Sequence, residues 1–191
     1  LAGENFADID AELAQKALKG DKKAFATLVE KYQSAIYGYA LHFFRHTDAA
    51  EDIAQETFLR AYRFLPTYDP SRKFVTWLYS IARNLCIDRH RDNARRDLVP
   101  IDDIAELETT STTFGVDPLR TLEGKEDKEE ILAAVAKLPE KYRTPLILCY
   151  MEEMPYQEIS EVLGISLNNT KIRIFRAKKM LLEYLGFTEL Q

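Results

Sequence analysis

Tyr156-Gln157-Glu158-Ile159-Ser160-Glu161-Val162-Leu163-Gly164-Ile165-Ser166-Leu167-Asn168-Asn169-Thr170-Lys171-Ile172-Arg173-Ile174-Phe175-Arg176-Ala177-Lys178-Lys179 places two segments of helical periodicity on either side of a Gly164-Ile165 break. Pro155 fits the first turn of the leading segment, where a missing N–H is not required. Ile159, Val162 and Leu163 recur on its inner side, and Ile165 is positioned to wedge beneath the turn. Ser166 is placed to cap a second helix, which holds five basic residues, Lys171, Arg173, Arg176, Lys178 and Lys179, and no acidic one. At about 100° per residue, Thr170, Ile174, Ala177 and Leu181 share one side of that helix. Asn168, Ile172, Phe175 and Lys179 fall opposite, flanked by Asn169, Lys171 and Arg176. Two helices crossing over a short Gly-containing turn form a helix-turn-helix. The second helix then has the length and charge to enter a DNA major groove, with Ile172 and Phe175 against thymine methyls and Lys171 and Arg176 at phosphates or guanine edges. An ordinary amphipathic hairpin with a solvated basic face has the same spacing. A face made only for water, however, rarely carries an aromatic among so many cations.

The formal net charge of -5 looks wrong for such a surface until it is divided along the chain. Residues 99–130 hold ten acids, among them Asp102, Asp103, Glu106 and Glu108, against Arg120, Lys125 and Lys128, a net of -7 that leaves +2 for the rest. Basic clusters stand at residues 83–96 and 171–179. Local charge, not the total, sets the field that a phosphate backbone meets. The acidic stretch also has the composition of a linker. Between residues 97 and 124 helical periodicity lapses, Thr109-Thr110-Ser111-Thr112-Thr113 forms a polar run, and Pro100, Gly115 and Pro118 punctuate it. The reading is two domains on a flexible acidic tether: residues 9–96, a linker at 97–126, and residues 127–187.

The amino-terminal unit reads as helix throughout. Phe25, Leu28, Val29, Tyr32, Ile36, Tyr39, Ala40 and Phe43 recur at steps of three and four after a Gly20-Asp21 cap signal. Asp48 and Glu51 form a variant capping box for a helix over residues 49–65 that buries Ile53, Ala54, Phe58, Ala61, Tyr62 and Leu65 and stops at Pro66. A further helix runs from about Lys73 through Trp77, Leu78 and Ile81 into Asp88-Arg89-His90-Arg91. No segment sustains the period-two alternation of a strand, so the fold class is all-α.

Composition bounds the function classes. A hydrophobic fraction of 46% is globular. No apolar run approaches the roughly 18 residues of a membrane span, and no secretory leader is evident, so the expected location is cytoplasmic. Cys86 and Cys149, each within an apolar stretch, read as reduced core thiols. His42, His46, Asp48 and Glu51 at helical spacing are the nearest approach to a metal set, but a helix end falls after His46 and no second ligand group matches them. No glycine-rich phosphate loop and no nucleophile with an evident base occurs. The expectation is no catalytic residue, no metal, no cofactor and no small-molecule substrate.

The run Asp48-Ala49-Ala50-Glu51-Asp52-Ile53-Ala54-Gln55-Glu56-Thr57-Phe58-Leu59-Arg60-Ala61-Tyr62, followed by Phe74-Val75-Thr76-Trp77-Leu78-Tyr79-Ser80-Ile81-Ala82-Arg83-Asn84 and Asp88-Arg89-His90-Arg91, resembles domain 2 of a bacterial RNA polymerase sigma factor. Leu138-Pro139-Glu140-Lys141-Tyr142-Arg143, Tyr156-Gln157-Glu158-Ile159-Ser160 and Arg173-Ile174-Phe175-Arg176-Ala177-Lys178 resemble domain 4. Both motif sets occur in order, with too little chain between them for a domain 3, as in the extracytoplasmic function group. The resemblance implies partners and sites. Asp52, Gln55 and Glu56 would contact the β′ coiled coil of core RNA polymerase, with the β flap as a second contact of the core. Asp69, Ser71, Arg72, Lys73, Phe74, Asn84 and Arg91 would capture the -10 element as single strand, with Arg83, Arg89, Arg95 and Arg96 also available to its backbone. Tyr79 and Trp77 are candidates for base stacking, Trp77 reading better as core. Asn168, Asn169, Lys171, Ile172, Arg173, Phe175, Arg176 and Lys179 would read the -35 element as duplex. Asn168 stands where many members have Gly, and Thr170 where an aliphatic is usual. The resemblance further implies an anti-sigma factor, often membrane-anchored, as the regulator. A dimeric regulator of duplex DNA is the alternative, distinguished by tight operator binding without polymerase.

Overall fold

The computed structural model describes the backbone of residues 5–96 and 125–187 and the side chains of residues 9–92 and 129–187. All regular structure in these residues is helical, as the periodicity predicts. The linker lies outside the described residues except for its last two, which already belong to a helix.

The first module contains α1 (Asn5–Leu18), α2 (Lys22–Phe44), α3 (Thr47–Phe64), a 3-10 turn (Leu65–Thr67) and α4 (Phe74–Arg96). Sequence reading does not place α1. It is fastened to α2 by Asp10, 4% exposed, whose carboxylate takes Lys31 Nζ at 2.6 Å and the hydroxyl of Tyr32. Desolvation, then the bond to Asp10, push the Tyr32 hydroxyl far above its usual pKa, so it remains a donor. Gly20, at φ 96, turns the chain out of α1, and Asp21 caps α2 by accepting from the N–H groups of Lys23 at 2.9 Å and Ala24 at 3.2 Å.

The cap of α3 differs from the expectation. His46, not Asp48, is the extended cap residue, with Nδ1 at 3.4 Å from the Ala49 N–H. The helix therefore starts two residues early and sets Asp48 in its first turn, where a carboxylate meets the positive end of the helix dipole. Tyr62 is also displaced from expectation: it is 46% exposed, edge-on to Phe25 at 4.9 Å. Ala61 and Leu65 are buried as expected.

The second module contains α5 (Lys125–Lys137), α6 (Glu140–Tyr150), α7 (Tyr156–Leu163) and α8 (Leu167–Tyr184). Pro145 lies inside α6 and not in its first turn. It has no N–H to give the carbonyl four residues back. The α5–α6 corner is closed by Arg143, 6% exposed, whose Nε and Nη2 donate to Leu138 O at 3.1 and 2.8 Å and whose Nη2 also reaches Ala136 O at 2.6 Å.

The two modules touch. α2 packs on α6 and α4 on α7, so one apolar core runs from Leu28 and Phe43 through Leu78 to Ile147 and Ile159. The Arg143 guanidinium lies over the Phe43 ring at 4.9 Å. Tyr79 Oη donates to Glu152 Oε2 at 2.6 Å, and Glu152 Oε1 lies over Gly38, at 3.9 Å from where a Cβ would stand. Glu153, in the left-handed region at φ 50, makes the sharp bend beside it. Burial pushes the Glu152 carboxyl above its usual range, against a smaller opposing effect of the Tyr79 bond.

His90 stands edge-on to Phe43 at 6.1 Å within the same region. Desolvation, then the charge of Arg143, hold its pKa below the ordinary 6.5. A depressed folded-state pKa means that its contribution is complete above the unfolded value of 6.5 and is lost as pH falls through the folded value. Urea unfolding is expected to show stability declining from about pH 7 to pH 5 more steeply in the native chain than in His90→Phe. Equal slopes would remove His90 from the account.

Candidate nucleic-acid interface

The turn between α7 and α8 is built as the sequence predicts, with one shift. Pro155 is the cap residue of α7 and not a member of its first turn, and its carbonyl accepts from the Ile159 N–H at 3.0 Å. Gly164, at φ 66, ends α7 in the left-handed conformation that a side chain resists, and its N–H reaches Glu161 O at 3.2 Å. Ser166 caps α8, its hydroxyl accepting from the Asn169 N–H at 3.2 Å. Thr170, Ile174, Ala177 and Leu181 are buried, as the helical wheel requires. Thr170 takes a fully buried position by donating its hydroxyl to Ser166 O at 3.1 Å. The helix continues to Tyr184 and so includes Glu183, an acid the shorter predicted helix lacks.

On the outer side of α8, Asn168, Asn169, Phe175 and Lys179 are exposed, and Lys171, Ile172, Arg173 and Arg176 are half-buried. Phe175, at 38%, is an aromatic presented to solvent among cations. Lys178 does not belong to this face, because its ammonium lies over the Tyr150 ring of α6 at 4.8 Å.

The loop leading into α4 is preorganised. Asp69 Oδ1 accepts from the Ser71 N–H at 2.9 Å, a turn made by an Asp side chain on its own backbone. That backbone bond is the first cause holding the Asp69 carboxyl below its usual range. Tyr68 Oη donates to Arg72 O at 2.7 Å, leaving the Asp69, Ser71, Arg72 and Lys73 side chains exposed. Phe74 does not join them. It is 1% exposed, within ring contact of Tyr32 at 6.0 Å, Tyr68 at 5.5 Å and Trp77 at 5.6 Å, so its side chain is core. Tyr79 is likewise unavailable for stacking in this arrangement, being 3% exposed and bonded to Glu152. Asn84 is exposed on α4 and accepts from Arg83 Nη1 at 3.2 Å. Arg91 Nη2 lies 3.9 Å from Glu140 of α6, and the side chains of Arg95 and Arg96 lie outside the described residues.

On α3, Gln55 is exposed, Asp52 pairs with Arg89 at 3.0 Å, and Glu56 pairs with Arg60 at 2.7 Å. Sequence reasoning missed the apolar member of this stripe. Leu59, seven residues after Asp52 and 67% exposed, continues the same face, and Phe64, 46% exposed, ends the helix. The spacing of 52, 55, 56 and 59 was the available signal. Among the described residues, no helix is long and apolar enough to cross a membrane.

Two family models match the chain in series. Residues 28–96 match the family model of sigma-70 region 2, and residues 128–181 match that of sigma-70 region 4. The ECF RNA polymerase sigma factor SigW of Bacillus subtilis is 39% identical over 168 residues, spanning 85% of this chain and 89% of that protein. Among solved structures, CnrH in complex with the cytosolic domain of CnrY aligns with a TM-score of 0.69 at 26% identity, covering 95% of this chain and 99% of that one. The sigma factor RpoE of Bartonella quintana, solved with the anti-sigma factor NepR, shares the fold at a TM-score of 0.64 and 22% identity, over 87% of this chain and 99% of that one. An outward helix of cations and an aromatic, a preorganised basic loop in a separate helical module, and likeness across nearly the whole chain converge: the chain belongs to the extracytoplasmic function group of sigma-70 family RNA polymerase sigma factors.

Proposed function

We propose that this chain directs core RNA polymerase to promoters that it reads at two places. Residues 127–187 read the -35 element as duplex through α8, and residues 9–96 hold the -10 element as separated strand and carry the contact with the polymerase core. Residues 97–126 join them. The observation that carries the reading is the outer side of α8, where Phe175 stands exposed beside Asn168, Asn169, Lys171, Ile172, Arg173, Arg176 and Lys179. A major groove supplies both the phosphates and the thymine methyls that such a mixed surface suits. Asp69, Ser71, Arg72, Lys73, Asn84 and Arg91 serve the -10 strand, with Phe74 shaping their loop from beneath. Asp52, Gln55 and Glu56, together with Leu59, meet the β′ coiled coil, and charge there steers the encounter more than it tightens it. The β flap is the second contact of the core.

Regulation is assigned to an anti-sigma factor, membrane-anchored in the form the family resemblance implies. CnrH, a solved relative, was captured with the cytosolic domain of CnrY, which supports a protein ligand of this kind.

Reconstitution tests the reading. Purified chain added to core polymerase is expected to give run-off transcripts from a subset of genomic promoter templates, and mapping the recruited polymerase would recover their shared elements. No transcript on any template, with tight binding of duplex DNA by the chain alone, would favour the dimeric regulator. At residue level, Arg176→Ala is expected to cost about 1–3 kcal/mol at the -35 duplex through a bidentate base contact. Equal loss on scrambled duplexes in fluorescence anisotropy would assign Arg176 to phosphate.

A further inference from the structure

Helix α1 carries none of the residues assigned to DNA or to polymerase, yet it presents a carboxylate to the inside of its module. Asp10 is 4% exposed, and its oxygens take Lys31 Nζ at 2.6 and 2.8 Å together with the hydroxyl of Tyr32. Burying a carboxylate is a costly way to fasten a helix, because well-packed apolar side chains of similar volume hold two helices together as well or better. What a leucine could not do is fix the position of the Tyr32 ring. A hydroxyl donating to a carboxylate is among the stronger and more directional contacts that a side chain makes.

From Tyr32 a line of rings leads to the -10 loop. Tyr32 lies 6.0 Å from Phe74, the first residue of α4, and Phe74 stands edge-on to Tyr68 at 5.5 Å. Trp77 closes the cluster at 5.3 Å from Tyr68 and 5.6 Å from Phe74. Tyr68, 5% exposed, then donates its hydroxyl to Arg72 O at 2.7 Å. Burial, and after it the charge of Asp10, push that hydroxyl up to about 12, so it stays a donor. The bonds inside the loop are local: Asp69 Oδ1 accepts from the Ser71 N–H at 2.9 Å and Asp69 O from the Arg72 N–H at 3.0 Å. Such bonds shape a turn but do not place it on the body of the protein. Within the first module that is done by Tyr68 before the loop and Phe74 after it, and both belong to the ring cluster whose far end is held by Asp10.

We propose that Asp10 is a positioning residue for the -10 loop: by fixing the Tyr32 hydroxyl it holds the rings of Phe74 and Tyr68, and through them the backbone from which Asp69, Ser71, Arg72 and Lys73 reach the single strand. Side chains that read base edges need their backbone held in one place by the residues behind them. Helix α1 thereby contributes to the choice of -10 bases without entering the interface. The inference rests on the reading of the Asp69–Lys73 loop as a -10 contact.

The test uses the full chain and three variants. Tyr32→Phe removes the hydroxyl and leaves the ring, Asp10→Ala removes charge and acceptor together, and Asp10→Asn keeps an oxygen that can accept from Tyr32. Trp77, the only tryptophan of the chain, reports on the cluster directly. In Tyr32→Phe and Asp10→Ala, acrylamide quenching of Trp77 is expected to rise and its emission to move to longer wavelength. With core polymerase, both are expected to lower the ratio of run-off transcript from a cognate promoter to that from the same promoter with one -10 base replaced, by about fivefold, while the ratio for a replaced -35 base stays native. Asp10→Asn is expected to retain most of both signals, and Tyr32→Phe/Asp10→Ala to be no worse than Asp10→Ala, since a single bond is at stake. Ile53→Val, a small cavity on the α3 side of the core, is the control for lost stability and is expected to leave the -10 ratio native. A native -10 ratio in Tyr32→Phe would overturn the positioning and leave Asp10 a fastening for α1, as would an equal loss in Ile53→Val or at the -35 base. Should Asp10→Ala fail to fold, Tyr32→Phe and Asp10→Asn carry the test. Failure of the underlying -10 reading has a different mark: Ser71→Ala/Arg72→Ala in the otherwise native chain would leave the -10 ratio unchanged, while Trp77 would still respond to Tyr32→Phe.

Discussion

Phe74→Ala is expected to lower the free energy of unfolding by about 3–5 kcal/mol, the range for removing a buried aromatic ring. The ring is 1% exposed and is enclosed by Tyr32, Tyr68 and Trp77, a cluster tied through Tyr32 to Asp10 and so to α1. Truncation leaves a cavity under the Asp69–Lys73 loop, and the neighbouring rings are too rigid to fill it without leaving their rotamers. The measurement is urea or thermal denaturation of Phe74→Ala and Phe74→Leu. The leucine variant, which fills part of the volume, is expected to recover a share of the loss. A native-like unfolding midpoint for the alanine variant, combined with weakened single-strand binding, would return Phe74 to the DNA-facing set where its motif position first placed it.

That disagreement marks the boundary of what is legible in this sequence. The motif identifies a loop and its helix, but not which members of a run point outward. Lys73 and Phe74 are adjacent, and the turn at Asp69-Ser71 together with the Tyr68 bond to Arg72 O sends one to solvent and the other inside. Where orientation follows from local periodicity alone, it was readable: the buried row Thr170, Ile174, Ala177 and Leu181 falls straight out of the helical wheel. Caps were partly readable. Asp21, Gly164 and Ser166 have the chemistry their positions need, whereas His46 displaces Asp48 because the chain leaves α2 through Arg45 in the left-handed region, at φ 55, and starts the next helix sooner. Tyr62 misled because its spacing fits either side of a stripe boundary, and contact with Phe25 settles it outward. The seam between modules had no local signal at all. Lys73 and Glu158 are 85 residues apart, Tyr79 and Glu152 are 73 apart, and the acidic stretch between the modules reads as a tether that leaves them independent.

The polymerase contact carries the second large expectation. Leu59→Asp is expected to weaken binding of the chain to core polymerase by about a hundredfold, some 2.7 kcal/mol, at the level of an interface hot spot. Leu59 is 67% exposed, so an aspartate there is solvated in the free chain and shifts folding stability by only about 0.5 kcal/mol. On the proposed reading the position lies on the stripe of Asp52, Gln55 and Glu56 that meets the polymerase, where closing the interface would strip water from a carboxylate, with Glu56 already committed to Arg60 at 2.7 Å. On that reading the three polar residues steer the approach and Leu59 holds the complex. Charge-neutral Asp52→Asn and Glu56→Gln should therefore slow association and flatten its salt dependence, while Leu59→Asp should act mainly on dissociation. Surface plasmon resonance of each variant on immobilised core polymerase separates the two rates. If Leu59→Asp dissociates like the native chain and still supports run-off transcription, the stripe is a solvated face and the polymerase is gripped elsewhere.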